Sequence, residues 1–342
     1  MKQSKLDLSR FPRATLRDGP SPIQHLPRLS RALNGPEIYV KRDDLDGLGG
    51  GGNKLRKLEF LLGEALAAGA DTIITVGGRQ SNHARLTAAA AARTGLRCEL
   101  VLSRLVPIED EDYVNNGNVL LDVLFGAVIH DISGDVSALD FAEERAVQLR
   151  SQGRRVYVCP LGGSSPVGCL GYVSCAAEID IQAAAQGISF DRIVVANGSG
   201  GMQAGLVSGF IAMGKDPDAI VGYTVLAPLQ KALETTFEKT KKTLELLDSG
   251  SSASAHAVIL RGEQLGTGYG VPTDAMREAL SLAATLEGLL LDPVYGAKAF
   301  AGFIDEVRTG AVKSGDNALF VMSGGTPSLF AYRRALQQTI AS

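Results

Sequence analysis

From residue 37 onward the chain alternates short β-branched or apolar runs with longer stretches whose apolar residues recur at helical spacing. Strands that come singly between helices pair in parallel through helical crossovers, which makes an α/β fold with a largely parallel sheet. The pattern predicts strands over 37–41, 72–76, 98–103, 127–132, 156–160, 192–196, 219–226 and 318–322. Helices are expected over 54–68, 82–94, 116–125, 137–152, 168–186, 202–213, 274–287, 298–309 and 326–338. In the first of these, Leu55, Leu58, Leu62 and Leu66 form one stripe. At 342 residues the chain is long enough for two domains. The strand–helix units over 55–157 are expected to form a small inserted α/β domain. The larger domain is then built from 1–54 and 158–342, with a cleft between the two.

With 34 Lys and Arg against 37 Asp and Glu, the net charge of −3 supplies no positive field for nucleic acid or an anionic membrane. Neither is expected as a partner. Hydrophobic content of 45% and charged content of 21% are those of a globular chain. No apolar run approaches the length of a membrane span, and MKQSKLDLSRFPR lacks a signal-peptide core, so a soluble, cytoplasmic protein is expected. Cys98, Cys159, Cys169 and Cys175 show no C-x-x-C spacing and read as buried free thiols of a reducing compartment.

Glycine is the compositional outlier, at 40 residues, and it gathers where strands pass into helices. There a helix N-terminus offers free N–H groups and a positive dipole end to an anion. In Val194-Val-Ala-Asn-Gly-Ser-Gly-Gly-Met-Gln-Ala-Gly205 an apolar strand runs through small residues into a helix. Counting from Gly198 and Gly200, the third position of a dinucleotide fingerprint falls on Gln203, so a single phosphate fits better than NAD. A turn that binds nothing is the plain alternative.

Gly47-Leu-Gly-Gly-Gly-Gly-Asn-Lys54 has the look of a Walker A loop, but Asn53 stands where the lysine belongs and Lys54 where Ser or Thr is needed. ATP is therefore disfavoured. Lys54 instead opens an amphipathic helix whose dipole opposes an ammonium and eases formation of a neutral, nucleophilic amine. A merely solvated lysine is the alternative, against which the four preceding glycines imply that something approaches the backbone closely. Gly77-Gly-Arg-Gln-Ser-Asn-His83 gathers hydroxyl, amide and imidazole at a third junction. That set suits a carboxylate, or equally a helix capped by Ser81 or Asn82.

The histidines at 25, 83, 130 and 256 lack zinc spacing, and no G-x-S-x-G elbow occurs, so neither a metal nor a serine triad is expected. Asp43 and Asp44 are expected to hydrogen-bond the glycine loop rather than hold a metal.

Eight motifs in order carry a more specific signal: GGNKLRKLEF at 51–60, RQSNHAR at 79–85, NGNVLLD at 116–122, GGSSPVGCLGYV at 162–173, GSGGMQAG at 198–205, GYGVPTD at 268–274, LDPVYGAKAFAG at 291–302 and SGGTPSLF at 323–330. From about residue 8 to 335 the chain resembles the D-cysteine desulfhydrase and 1-aminocyclopropane-1-carboxylate deaminase family. These are pyridoxal-phosphate enzymes with the tryptophan synthase β-subunit-like fold, fold type II. The resemblance implies pyridoxal 5'-phosphate as cofactor, a small amino acid as substrate and a homodimer. It makes Lys54 the lysine that links to the cofactor and later moves a substrate proton. Asn82 matches the amide on the cofactor's phenolic oxygen. Ser81 matches the hydroxyl beside the substrate carboxylate, which the backbone of Gln80, Ser81, Asn82 and His83 helps hold. Gly198, Ser199, Gly200, Gly201 and Met202 match the phosphate cup, Tyr269 and Tyr295 two tyrosines facing the substrate, and Ser323 a hydroxyl at the pyridine nitrogen.

Departures from the family narrow the reading. Deaminases carry a glutamate after the second tyrosine, where this chain has Gly296, which argues against ring-opening deamination. Met202 replaces a threonine of the phosphate cup and Asn197 a Ser or Thr. Arg79 is unusual before Gln-Ser-Asn: pointing into the cleft it favours an anionic side chain such as a sulfonate, and the blander expectation is that it points to solvent. The resemblance implies α-proton removal by the Lys54 amine, loss of a β-substituent assisted by a tyrosine, and hydrolysis of the released product to pyruvate and ammonia. D-cysteine desulfhydrase is the leading activity, ahead of L-cysteate sulfo-lyase and 1-aminocyclopropane-1-carboxylate deaminase. A cofactor-free binding module is the non-enzyme alternative, and Lys54, Ser81, Asn82 and the two tyrosines speak against it.

Overall fold

The structure, a computed structural model, describes residues 6–340, with side chains as far as Gln337. Its strands are β1 (Ile23–His25), β2 (Glu37–Arg42), β3 (Thr72–Gly78), β4 (Arg97–Arg104), β5 (Val128–Ser133), β6 (Val156–Cys159), β7 (Arg192–Asn197), β8 (Ile220–Thr224), β9 (Ile259–Arg261) and β10 (Asn317–Met322). They form a six-stranded sheet in the order β1-β2-β10-β7-β8-β9 and a four-stranded sheet in the order β5-β4-β3-β6. Every pairing is parallel except β1 with β2. The small sheet draws all its strands from 72–159, whereas the large one draws on both sides of that stretch.

Parallel strands need cover on both faces, and the small sheet shows how the sequence supplies it. Ile74, Val76 and Val101 pack under Ala142, Ala146 and Leu149 of the helix Ala138–Ser151. On the other face Ile73, Leu100 and Leu102 meet Leu55, Leu58 and Leu62 of the helix Lys54–Ala67 and Ala84, Leu86 and Ala88 of the helix Asn82–Thr94. Each fully buried Leu or Ile contributes about 1.5–3 kcal/mol relative to exposure. Leu66, expected on the same stripe, is exposed. The large sheet is packed by Val194, Val221, Leu319 and Val321 against Leu206, Val207, Phe300 and Phe303.

Helices meet almost backbone to backbone beneath the cleft. A Cβ on Gly171 would stand 2.2 Å from the carbonyl oxygen of Arg56, and one on Gly205 would stand 2.4 Å from that of Cys169. Only glycine lets the helices Lys54–Ala67, Pro166–Gln186 and Gly201–Ala212 approach so closely.

Several elements differ from the sequence expectation. The helix Leu229–Leu247 was not expected because its inward stripe is Ala232, Thr236, Thr240, Thr243, Leu244 and Leu247, so threonines stand where apolar residues would mark a core face. Their hydroxyls are satisfied locally: Thr236 Oγ1 donates to Ala232 O at 2.7 Å and Thr240 Oγ1 to Thr236 O at 2.9 Å. The short elements β1, β9, Pro27–Leu33 and Glu111–Asn115 carry too few residues to show a period. The 326–338 helix is broken into Pro327–Ala331 and Arg333–Ile340. Pro166–Gln186 starts two residues early, at a proline whose predecessor Ser165 accepts from Gly168 N at 3.3 Å.

Asp43 and Asp44 do not turn their side chains to the glycine loop. Asp43 is fully buried and receives Arg56 Nε at 2.9 Å, Arg56 Nη2 at 2.8 Å, Ser21 Oγ at 2.7 Å and Tyr172 Oη at 2.6 Å. Asp44 pairs with Arg42 at 2.6 and 2.8 Å. Arg56 also reaches Glu178 at 2.8 Å, so the first turn of its helix is tied to Pro166–Gln186. Among the described residues no helix is long and apolar enough to cross a membrane, and no cluster of three His, Cys, Asp or Glu side chains is arranged to hold a metal.

Candidate active site

A cleft with about 770 Å³ of non-atom space, part of it open to solvent, lies where loops from the two sheets meet. Lys54, Ser81, Asn82, His83, Gly198, Ser199, Gly200, Gly201, Met202, Tyr269, Tyr295 and Ser323 all line it. Gln80 and Arg79 do not.

Lys54 opens its helix at the end of a loop in which Gly49, Gly50, Gly51 and Gly52 have φ of 60°, 80°, 74° and 129°. What approaches that loop is the chain itself. A Cβ at Gly51 would lie 2.3 Å from Asp44 O, and one at Gly49 would lie 2.5 Å from Ala89 Cβ. Arg85, fully buried, donates to the carbonyls of Gly49 and Gly51. Lys54 Nζ donates to Asn53 Oδ1 at 3.0 Å and stands 5.8 Å from the centre of the Tyr295 ring. Burial pulls its pKa down to about 8, with Arg85 acting in the same direction and Asp292 opposing it.

Across the cleft, β7 passes through Gly198–Gly200 into the helix Gly201–Ala212, and Gly200, at φ 81°, is the N-cap. No side chain caps this end, so its first N–H groups point at the cleft. Ser199 Oγ lies 2.7 Å from Ser164 Oγ, and Lys57 Nζ donates to Ser164 Oγ at 2.8 Å and to Gly162 O at 3.1 Å. Lys57 is 1% exposed, and among the described residues no carboxylate pairs with it. Burial, reinforced by Lys54, holds its pKa well below the usual lysine range. Met202 turns its sulfur toward Asn53 Nδ2, 3.9 Å away. Asn197 braces the turn from below, donating to Gln203 Oε1 at 2.8 Å and to Thr236 Oγ1 at 2.9 Å.

The third junction is a helix cap and more. Ser81 Oγ accepts from Ala84 N at 3.1 Å, which leaves its proton for an acceptor in the cleft. Asn82 Oδ1 accepts from Asn118 Nδ2 at 2.9 Å and Ser328 Oγ at 3.2 Å, so Nδ2 is the group left to meet a ligand. The Gln80 side chain is turned away and fully engaged. It donates to Tyr113 O at 2.7 Å and Asn116 O at 2.8 Å and accepts from Asn118 N at 2.9 Å. His83 Nε2 lies 2.9 Å from Thr75 Oγ1, whose proton goes to Cys159 O at 3.1 Å, so Nε2 is the protonated nitrogen. Burial and the two nearby lysines hold the ring neutral. Arg79 takes neither course expected of it: its guanidinium is only 13% exposed and pairs with Asp131 at 2.8 Å, beside Arg104.

The two tyrosine hydroxyls meet at 2.6 Å. The Tyr269 loop is braced by Lys298 Nζ, which donates to Leu265 O at 2.8 Å, and by Tyr332 Oη, which donates to Gly270 O at 3.0 Å. Tyr295 sits where the helix Gly296–Arg308 begins. There Asp292, fully buried, accepts from Val294 N at 2.9 Å, Tyr295 N at 2.7 Å and Gly296 N at 3.0 Å. Burial lifts the Asp292 carboxyl to about 6, against those three bonds and the attraction of Lys54. Ser323 closes the cleft at the end of β10.

A family model described as pyridoxal-phosphate dependent enzyme matches residues 14–324. The chain belongs to that family. It is 43% identical over 325 residues to the D-cysteine desulfhydrase of Salmonella choleraesuis (strain SC-B67), covering 95% of this chain and 97% of the relative. The D-cysteine desulfhydrase of Salmonella typhi is 42% identical over the same coverage. A crystal structure of an ACC deaminase homologue superposes with a TM-score of 0.87 at 39% identity, covering 97% of each chain. The fungal L-serine ammonia-lyase of Rhizomucor miehei, at 16% identity over 94% of this chain and 98% of its own, shares the fold with a TM-score of 0.66.

The cleft of this pyridoxal-phosphate enzyme fits the cofactor on its own geometry. A buried lysine amine that no carboxylate pairs among the described residues, set beside the uncapped start of a helix, is matched by a phosphate dianion, whose charge favours its protonated form. Sequence reading missed Lys57 and Asp292. Lys57 lies three residues after Lys54, one turn along an otherwise apolar face, and that spacing was the available signal. Asp292 precedes Pro293, as residues at the entry to a helix do, yet nothing local to it reveals the neighbouring Lys54.

Proposed function

We propose that this chain is a carbon–sulfur lyase that removes the β-substituent of a small amino acid by α,β-elimination, with D-cysteine the leading substrate. Cysteine and water would become pyruvate, ammonium and hydrogen sulfide. The observation that carries the reading is the Lys54 amine facing the Tyr269–Tyr295 hydroxyl pair across one cleft, in a chain 43% and 42% identical to two D-cysteine desulfhydrases.

Bound pyridoxal phosphate supplies an electron-withdrawing ring that acidifies the α-carbon of an attached amino acid. Lys57, Ser199 and the main chain of Gly198, Gly200, Gly201 and Met202 would hold its phosphate, Asn82 Nδ2 its phenolic oxygen and Ser323 its ring nitrogen. Lys54 Nζ, with a pKa near 8, has a neutral fraction at physiological pH and can accept and return a proton. Ser81 Oγ and the N–H groups of Ser81, Asn82 and His83 would hold the substrate carboxylate, and Gln80 takes part only through its main chain. Burial raises the pKa of both tyrosines, so both hydroxyls stay protonated; one proton bridges the pair and the other can hydrogen-bond a departing thiolate. Arg79 is held by Asp131 and does not line the cleft, so it presents no cation there to a sulfonate, which supports cysteine over cysteate. The β-carbon of any side chain at 296 would meet Asp292 Oδ2 at 3.3 Å, so a glutamate there, as in deaminases, requires that carboxylate to give way slightly.

The division into 1–54 with 158–342 and an inserted 55–157 belongs to the same proposal, supported by β3, β4 and β5 of the small sheet, which fall inside 55–157, while β6 crosses its end. So do a homodimer and a cytoplasmic location. Four buried free thiols support the latter, and the exposed Leu120, Val123, Leu124 and Val128 support the former. A panel of D-cysteine, L-cysteine, L-cysteate and 1-aminocyclopropane-1-carboxylate, scored by the keto acid released, tests the activity. Pyruvate from D-cysteine is expected, and 2-oxobutyrate from the cyclopropane would overturn the reading.

A further inference from the structure

We infer that Asn118, helped by Ser328, is a positioning residue: it sets which end of the Asn82 side-chain amide meets the cleft, and so makes Asn82 a hydrogen-bond donor to the phenolic oxygen of the cofactor. The inference rests on the pyridoxal-phosphate reading of that cleft.

The direction of Asn82 follows from what each atom can do. A main-chain carbonyl only accepts, so the Asn118 side-chain atom 3.0 Å from Gln80 O is the nitrogen. That nitrogen only donates, so the Asn82 atom 2.9 Å from it is Oδ1. Ser328 Oγ donates to the same Oδ1 at 3.2 Å. The oxygen is then fully engaged, and Nδ2 is left for the cleft that Asn82 lines. Gly325 makes room for it, since a Cβ there would stand 2.5 Å from Nδ2.

Asn118 is itself held in place. Its main-chain N donates to Gln80 Oε1 at 2.9 Å, while Gln80 Nε2 donates to Tyr113 O and Asn116 O. The Gln80 side chain, absent from the cleft, therefore braces the residue that aims Asn82. A Cβ on Gly117, at φ 63°, would come within 2.8 Å of both Gln80 Oε1 and Pro327 O, so only glycine lets these three segments meet. Asn118 and Ser328 are 0% exposed and neither lines the cleft. Reversing Asn82 would set its NH2 against that of Asn118 and leave buried donors unpaired, which costs more than the loss of one hydrogen bond. As it stands, Asn82 offers an N–H to the phenolic oxygen and favours its ionised form; reversed, it would offer a carbonyl oxygen and disfavour it.

Two ligands separate positioning from general support of the fold: pyridoxal phosphate, and 3-deoxypyridoxal phosphate, which lacks the phenolic oxygen. Full-length protein stripped of cofactor is titrated with each by absorbance, and the ratio of the two affinities is read. Loosened packing weakens both ligands alike and leaves the ratio unchanged. In Asn118→Leu the preference for pyridoxal phosphate is expected to fall about tenfold. Asn82→Ala should lower it at least as far, and adding Asn118→Leu to Asn82→Ala should lower it no further. A preference kept in Asn118→Leu, or a further fall in the double variant, overturns the inference. Should Asn118→Leu not fold, Ser328→Ala removes one of the two donors and is expected to lower the preference about threefold, and an unchanged preference there overturns it. A parent protein that binds pyridoxal phosphate while its variants keep the parent's ratio overturns the positioning of Asn82 alone. A parent that takes up no pyridoxal phosphate overturns the proposed function, and this inference with it.

Discussion

Replacing Lys57 by methionine should move cofactor affinity and cofactor-free stability in opposite directions. The amine is fully enclosed, is bonded among the described residues to Gly162 O and Ser164 Oγ alone, and faces the uncapped start of Gly201–Ala212. With a phosphate in the cup it makes a charge-assisted hydrogen bond, and losing one costs about 2 kcal/mol, or about thirtyfold in affinity. Without the phosphate, protonating that amine puts a buried charge there with no counter-ion, a penalty that methionine, filling the same space, does not carry. Because its folded pKa lies well below 10.5, the folded protein binds fewer protons there than the unfolded chain. The parent therefore gains stability as pH rises toward the unfolded lysine value. The advantage of Lys57→Met in melting temperature should be largest near pH 6 and should fade as pH climbs. Titration of stripped protein with pyridoxal phosphate, followed by absorbance, gives the affinity, and thermal unfolding with and without cofactor gives the rest. Equal cofactor affinity in parent and variant would refute the assignment of Lys57 to the phosphate.

Tyr295→Phe breaks the 2.6 Å contact with Tyr269 and should lower kcat/KM by about 10²-fold while leaving cofactor uptake unchanged, as steady-state kinetics beside absorbance titration will show. Gly201→Ala places a Cβ 2.5 Å from Ser164 Oγ and 2.9 Å from Lys57 Nζ, and cofactor affinity should drop about tenfold as both side chains are displaced. Asp122 is fully buried without a hydrogen-bond partner among the described residues, and burial lifts its carboxyl to about 8. A carboxyl raised on folding loses stability as pH rises from its unfolded value of 3.8 through 8. Asp122→Asn should therefore out-melt the parent by a margin that grows to about pH 8 and then levels, and a margin independent of pH would contradict it.

The inner strands β3, β4, β7, β8 and β10 were legible because helices cover their faces, so their residues are near-continuously apolar, whereas the three-residue β1 and β9 were not. The helix Leu229–Leu247 was not, since a threonine satisfied by the carbonyl four residues back is as buried as a valine but does not look so in a hydropathy pattern. Site residues that sit at glycine-rich junctions were found through those junctions. Arg79 shows where this ends: a side chain's direction depends on a partner in another strand, here Asp131 of β5, which no local pattern reveals. Lys57 and Asp292 share that difficulty, each defined by what lies across the cleft rather than along the chain.

The ion cluster of Arg56 with Asp43 and Glu178 lies two residues beyond Lys54, on the same turn of helix. It fastens the reactive amine to Pro166–Gln186, and Leu55, Leu58 and Leu62 of the same helix fasten it to the small sheet, from whose end the hydroxyl of Ser81 and the amide of Asn82 hang. The amine and the groups that would hold a carboxylate are thus set on one packed unit, and the distance between them is fixed before an amino acid arrives.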